Sequence, residues 1–180
     1  MAKRYAFEIQ SALSKESIED ARQRNLNWAK NHLLKTGRFE TSMWIYTDGT
    51  GSEPQNVYYI LTNPEISKDQ NESPMNQIEP ILLTFKNKPD EFGSVMAYQV
   101  ISETWVKSFS KIDEMPPLKH GDIANMPNRD EWFLEQYVKR GFDLKTTAFE
   151  IVRADDSDEI EDLVLIKDIN KIQSGKLPPL

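Results

Sequence analysis

The longest run of alternating apolar residues lies between Val95 and Lys107, in the segment VMAYQVISETWVK. Apolar side chains at every second position are typical of a β-strand, and this segment is the longest predicted strand in the chain. The alternation is interrupted by an acid, Glu103, two residues before Trp105. Either this carboxylate has a function, or it lies on the solvent-facing side of a sheet.

Five further segments rich in β-branched and aromatic residues are predicted to be strands. They are Glu40–Asp48, Asn56–Thr62, Trp132–Lys139, Leu144–Arg153 and Leu163–Lys167. One predicted helix begins after an N-cap at Ser17 and ends at Gly37, and a second follows Ser73–Pro74 and carries Ile78, Ile81, Leu82 and Phe85. This order predicts an α+β fold, with an antiparallel sheet of about six strands and two helices packed on one face.

The chain of 180 residues is predicted to form a single domain, residues 1–180, with flexible termini at about 1–12 and 172–180. Its net charge of −7 argues against a nucleic-acid partner, since such proteins usually present clustered Lys and Arg. Residues 1–40 are the exception, with eight basic and five acidic residues. The absence of cysteine, of a signal peptide and of a long apolar run predicts a cytoplasmic protein with no membrane partner.

A carboxylate cluster is the sharpest site hypothesis. If the three central strands are neighbours in a favourable register, Glu103, Glu135 and Glu150 converge on one face beside Trp105 and Tyr137. Their oxygens would suit Mg²⁺, Mn²⁺ or Ca²⁺. Because register cannot be read from one sequence, we assign no catalytic residue, no metal ligand and no cofactor, and the simpler interpretation is a solvent-facing side of the sheet.

Other polar motifs carry weaker signals. His32 and His120 are too far apart to form a ligand pair, and the acidic run DDSDEIED at Asp155–Asp162 lacks the spacing of an EF-hand loop. DGTGS at Asp48–Ser52 lacks the third glycine of a dinucleotide loop. We interpret them as surface or packing histidines, a solvated turn and a hairpin turn.

The motifs KTGRF, YTDGTG, VISETWVKS and MPNRDEW follow one another along the chain. In this order the sequence resembles a loose group of uncharacterised bacterial and phage proteins with helix-GxF, DG, vsEaW and PxRE-like patterns and no known activity. The resemblance implies that Glu103, Trp105, Arg129 and Glu131 mark a shared feature. Asp130 stands between Arg129 and Glu131, where the pattern has Arg and Glu adjacent.

These residues suggest a structural role for Glu103. Arg129 is predicted to pair with Glu131 or Glu103 and to hold the loop that ends at Pro127 against the long strand.

Three functions remain open at this stage. The first is a protein-interaction or modulator protein, of a kind that a phage could encode, which holds a protein partner with its acidic sheet face and exposed aromatic residues. The second is a metal-dependent hydrolase or phosphodiesterase that uses the sheet-face carboxylates. The third is a small-ligand binder with a pocket bounded by Trp105, Tyr137 and the Pro-rich loop. The sequence does not decide whether the protein is an enzyme.

Overall fold

The computed structural model describes residues 9–13, 17–48, 56–61, 77–106, 130–154, 159–167 and 177–180. Within this part of the chain, seven strands form one antiparallel sheet in the order β1-β3-β2-β4-β5-β6-β7. The strands are β1 (Ile9–Leu13), β2 (Ser42–Thr47), β3 (Asn56–Leu61), β4 (Val95–Val106), β5 (Asp130–Lys139), β6 (Lys145–Arg153) and β7 (Ile160–Leu165). The predicted α+β class with an antiparallel sheet is confirmed, and β1 adds a strand that the sequence did not predict.

The long helix α1 (Ile18–Thr36) has the predicted ends. The side chain of Ser17 accepts a hydrogen bond of 3.2 Å from the amide of Asp20, which satisfies one of the free N–H groups of the first turn. Gly37 ends the helix in the left-handed conformation, with φ of 80°, and its amide donates to the carbonyl of Leu33. Capping residues therefore fix both ends of α1.

The second helix, α2 (Ile78–Lys86), begins after the predicted Ser73–Pro74 start, which lies outside the described residues. Pro80 falls in its first turn. Backbone N–H groups in the first turn have no partner within the helix, so a proline costs no helical hydrogen bond there. A short helix, α3 (Pro89–Phe92), leads into the long strand β4. The stripe of Ile78, Ile81, Leu82 and Phe85 is buried, as expected for the apolar side of α2.

The sheet is covered on both faces. On the side that we call the α1 face, helix α1 packs against apolar side chains of β2 to β6, including Trp44, Ile101 and Phe133. On the opposite side, which we call the α2 face, helix α2 packs against Met43, Tyr98 and other apolar strand residues. These alternate along the strands with the residues of the α1 face. The packing of both predicted helices on one face is therefore not confirmed, because α1 and α2 cover opposite faces.

Two segments near the ends of the described part of the chain are also joined to this core. Residues 9–13 form β1 and pair with β3, and Leu177 and Leu180 pack against the cluster on the α2 face. The sequence had assigned both segments to flexible termini. No helix in the described part of the chain is long and apolar enough to cross a membrane.

Candidate functional site

The register of the central strands separates the three glutamates of the predicted cluster. Glu103 pairs with Phe133, and Glu135 lies two residues along from Phe133, so both project from the α1 face. Glu150 pairs with Trp132, which alternates with Phe133 and therefore projects from the α2 face. The predicted site of Glu103, Glu135 and Glu150 is wrong, because Glu150 lies on the other side of the sheet.

Glu135 is the centre of a buried polar network under α1. Its carboxylate accepts hydrogen bonds of 2.9 and 2.7 Å from the guanidinium of Arg22 and one of 2.6 Å from the Gln99 amide. The Gln99 side-chain oxygen accepts a hydrogen bond of 2.6 Å from the hydroxyl of Tyr46. This hydroxyl in turn accepts a hydrogen bond of 2.9 Å from the side-chain amide of Asn25. A fully buried carboxylate is stable here because each of its oxygens has a charged or polar donor.

Glu131 is engaged by a second arginine. Arg153 donates to its two oxygens at 2.7 and 2.5 Å and reaches the carbonyl of Gly37 at 2.9 Å. This bidentate pair joins β5 to β6 and fastens the end of α1 to the sheet.

Glu103 holds the residue that follows the α1 cap. Its carboxylate accepts a hydrogen bond from the backbone amide of Phe39. Burial raises the pKa of Glu103 to about 7; the hydrogen bond from Phe39 opposes this rise, the nearby Glu131 charge adds to it, and Arg153 and Arg38 oppose it. The acid in the long strand therefore positions the α1 end and titrates near neutral pH.

The three carboxylates on the α1 face are thus already bound to protein groups. No group of three or more His, Asp or Glu side chains suited to a metal ion occurs among the described residues. A metal ion at Glu131 or Glu135 would have to displace a bidentate arginine, and loss of one partner of a buried pair is strongly unfavourable. The arrangement supports structural roles for these acids.

Glu131 and Glu103, the two acids of the predicted arginine clamp, bind Arg153 and Phe39 in the described part of the chain. Arg129 and the loop that ends at Pro127 lie outside the described residues, as do His120 and Asp122. Glu103 therefore does clamp a connecting segment, but that segment is the one after α1.

The two aromatic residues of the predicted ligand pocket are separated along the sheet, and its third wall, the Pro-rich loop, lies outside the described residues. Trp105 pairs with Glu131, whereas Tyr137 lies six positions further along β5. At about 3.4 Å per residue, the backbone positions of the two residues lie roughly 20 Å apart along the sheet. Tyr137 is buried beneath Arg22, whose guanidinium lies 4.3 Å from the centre of the ring, and burial raises the pKa of Tyr137 to about 12.

An exposed aromatic group on α1 was missed by sequence reasoning. Trp28 stacks on His32 with ring centres 5.4 Å apart and meets the rings of Phe39, Trp44 and Tyr59 at 6.0 to 6.2 Å. Trp28 is 48% exposed. The spacing of Trp28 and His32, one helical turn apart, was the available signal. We call the exposed Trp28 and His32, together with the partly exposed Tyr59 and the buried Phe39 that support them, the Trp28 surface.

Comparison with known proteins adds no functional information. No family model matches the chain. No match is found among curated proteins or among solved structures. The resemblance to bacterial and phage proteins stays a prediction.

Proposed function

We propose that the protein works by binding another protein through the Trp28 surface. The observation that carries the proposal is the packing of Trp28: its ring is half exposed, yet it is held by four other aromatic rings. Because these four rings hold Trp28 in place, its exposed half is an ordered apolar surface and not a freely rotating side chain.

The geometry suits an interface anchor. Aromatic anchors contribute most at protein interfaces when they are large and already ordered before binding, since little rotamer entropy is then lost. Trp28 lies against Trp44, which is almost fully buried in the core. The anchor is therefore fixed to the sheet through α1.

The charge near this surface favours an acidic partner segment. Arg24 lies one turn before Trp28 on α1, and Lys35 lies two turns after it on the same side. Residues 17–40 carry five basic and three acidic residues in a chain whose net charge is −7. We expect the partner to present Asp or Glu around an apolar contact, as electrostatic complementarity would require.

The predicted acidic sheet face is not used in this proposal. Glu103, Glu131 and Glu135 lie between the sheet and the α1 region and are bound to Phe39, Arg153 and Arg22. The metal-dependent hydrolase loses its proposed ligand set for the same reason, and the small-ligand pocket lacks two converging walls. The protein-binding function retains support from the exposed aromatic residues.

The test begins with a photocrosslinking amino acid at Asn31, an exposed position one turn after Trp28. We expect the native host to yield a crosslinked protein that is absent when the crosslinker stands at Leu83, which is equally exposed on α2. The crosslinked protein is then purified and titrated with the full chain.

The titration decides the proposal. Trp28→Ala is expected to weaken binding by at least about tenfold, as an interface hot spot would, and Leu83→Ala by less than about threefold. Circular dichroism and thermal melting of both variants separate lost binding from lost folding. Equal effects of the two substitutions on a folded protein would contradict the proposal.

A further inference from the structure

The last four residues of the chain, Leu177-Pro178-Pro179-Leu180, rest on the α2 face. Leu177 and Leu180 pack against the apolar cluster of that face, while Pro179 is exposed. The hydroxyl of Tyr98 donates a hydrogen bond to the carbonyl oxygen of Pro178. We call the surface beneath these residues the tail site.

The chemistry of the tail site matches a leucine-flanked diproline. Proline has no N–H, so the carbonyl is the single backbone group with which Pro178 can hydrogen-bond, and Tyr98 supplies the matching donor. Two consecutive prolines also hold the chain extended before it binds, which reduces the entropy lost on docking. Aromatic residues that contact the apolar side and hydrogen-bond the carbonyls are a common means of recognising such segments.

A second donor lies beside Tyr98 on the same face. Tyr98 pairs with Val138, and Gln136, two residues along β5, projects from the same side of the sheet. Gln136 is 2% exposed, and among the described residues its side-chain nitrogen has no hydrogen-bond partner. A buried donor of this kind would be satisfied by a further carbonyl of a longer peptide.

We propose that the tail site binds leucine-flanked diproline segments of a partner protein, and that residues 177–180 of the chain itself are an internal competitor for it. The inference goes beyond the proposed function, since the tail site and the Trp28 surface lie on opposite faces of the sheet. A tethered competitor acts at an effective concentration of about millimolar, so a partner must bind well or be abundant to displace it.

The experiment uses the full chain and a labelled peptide, Gly-Lys-Leu-Pro-Pro-Leu, that repeats residues 175–180. In one variant, Leu177→Asp and Leu180→Asp together remove the apolar contacts of the internal tail. Fluorescence anisotropy is expected to show at least about tenfold tighter peptide binding by this variant than by the unmodified protein. Adding Tyr98→Phe to the same variant should weaken peptide binding about fivefold, through loss of one hydrogen bond.

A control peptide with both leucines replaced by aspartate should not bind. A dimer of the unmodified protein that free peptide dissociates would support the site, with a second copy as the source of the segment. Absence of peptide binding to the folded variant at millimolar concentration would overturn the proposal, as would equal affinity for the variant and the unmodified protein.

A second measurement keeps the proposal testable if the double substitution prevents folding. In a Leu180→Cys variant, which carries the one thiol of the chain, adding Tyr98→Phe should speed thiol labelling about fivefold, because the docked segment opens more often. An unchanged rate would overturn the role of Tyr98 in holding a diproline segment.

Discussion

Arg22 and Glu135 join α1 to the middle of the sheet through two hydrogen bonds, of 2.9 and 2.7 Å, although 113 positions separate them in sequence. The glutamate is completely buried, the arginine side chain is 15% exposed, and the ring of Tyr137 lies against the guanidinium. Both oxygens of the carboxylate are satisfied, so the pair fixes the position of the helix against β5 without leaving a charge unmatched.

Removing one member of this pair should destabilise the protein more than removing both. We expect Arg22→Met to lower the free energy of unfolding by about 3 to 5 kcal/mol, because Glu135 then remains buried and unpaired. The double variant Arg22→Met and Glu135→Leu should recover most of this loss. Urea denaturation at pH 7 measures both values.

Arg24→Met serves as the matched control for that comparison, since Arg24 lies on the exposed side of the same helix. Its effect should stay within about 0.5 kcal/mol, as is usual for a surface substitution. A double variant that is less stable than Arg22→Met alone would contradict the structural role of the pair.

Glu103 should make stability depend on pH in a defined window. Its pKa is about 7 in the folded protein against 4.5 for an unperturbed glutamate, so the folded state binds the proton more tightly. The stabilisation from this proton is complete below about pH 4.5 and is lost as the pH rises through about 7. At about 1.4 kcal/mol per pKa unit, the difference between 4.5 and 7 corresponds to about 3.4 kcal/mol, which solvent screening of this partly exposed carboxylate reduces to roughly 2 to 3 kcal/mol.

The Glu103→Gln variant isolates this contribution. Glutamine keeps an oxygen that can accept from the amide of Phe39 but cannot ionise. The variant should therefore be more stable than the unmodified protein at pH 8, by about 2 kcal/mol, and of similar stability at pH 5. Urea denaturation from pH 5 to 8 gives the difference curve, and a difference that does not change with pH would refute the assignment.

The alternation in β4, β5 and β6 predicted three strands correctly but not the faces to which their side chains belong. Within each strand, the prediction that every second side chain lies on the same face was correct. Tyr98 and Val100, for example, share a buried face. The phase between neighbouring strands depends on register: Glu150 was expected on the face of Glu103 and Glu135, but it pairs with Trp132 on the opposite face. A shift of one residue exchanges the two faces, and one sequence contains no information on that shift.

The same limit applies to the site residues. Glu135 looks like a solvent-facing acid in the sequence, and its burial depends on Arg22 in a distant helix. Similarly, Glu103 binds Phe39 across 64 positions. Local signals did predict the α1 ends at Ser17 and Gly37, because capping is decided within a few residues.

Two contacting tryptophans should differ in what they contribute to stability. Trp44 is 4% exposed in the core, and we expect Trp44→Ala to lower the free energy of unfolding by about 3 to 5 kcal/mol. Trp28 is half exposed, so Trp28→Ala should cost only about 1 to 2 kcal/mol, through the buried half of its ring. Chemical denaturation of the two variants checks this, and an equal loss would mean that Trp28 is a core residue and no binding anchor.

The turn between β5 and β6 offers a test of backbone strain without side-chain packing. Gly141 has φ of 82°, and a methyl group added there would meet no atom within 4 Å. Gly141→Ala should therefore lower the free energy of unfolding by about 1 kcal/mol, through the left-handed backbone conformation alone. Gly141→Asn should lose less, because asparagine tolerates this conformation better than other residues with a side chain. Thermal and urea unfolding of the two variants give the comparison, and an alanine variant as stable as the unmodified protein would show that the turn adopts another conformation in solution.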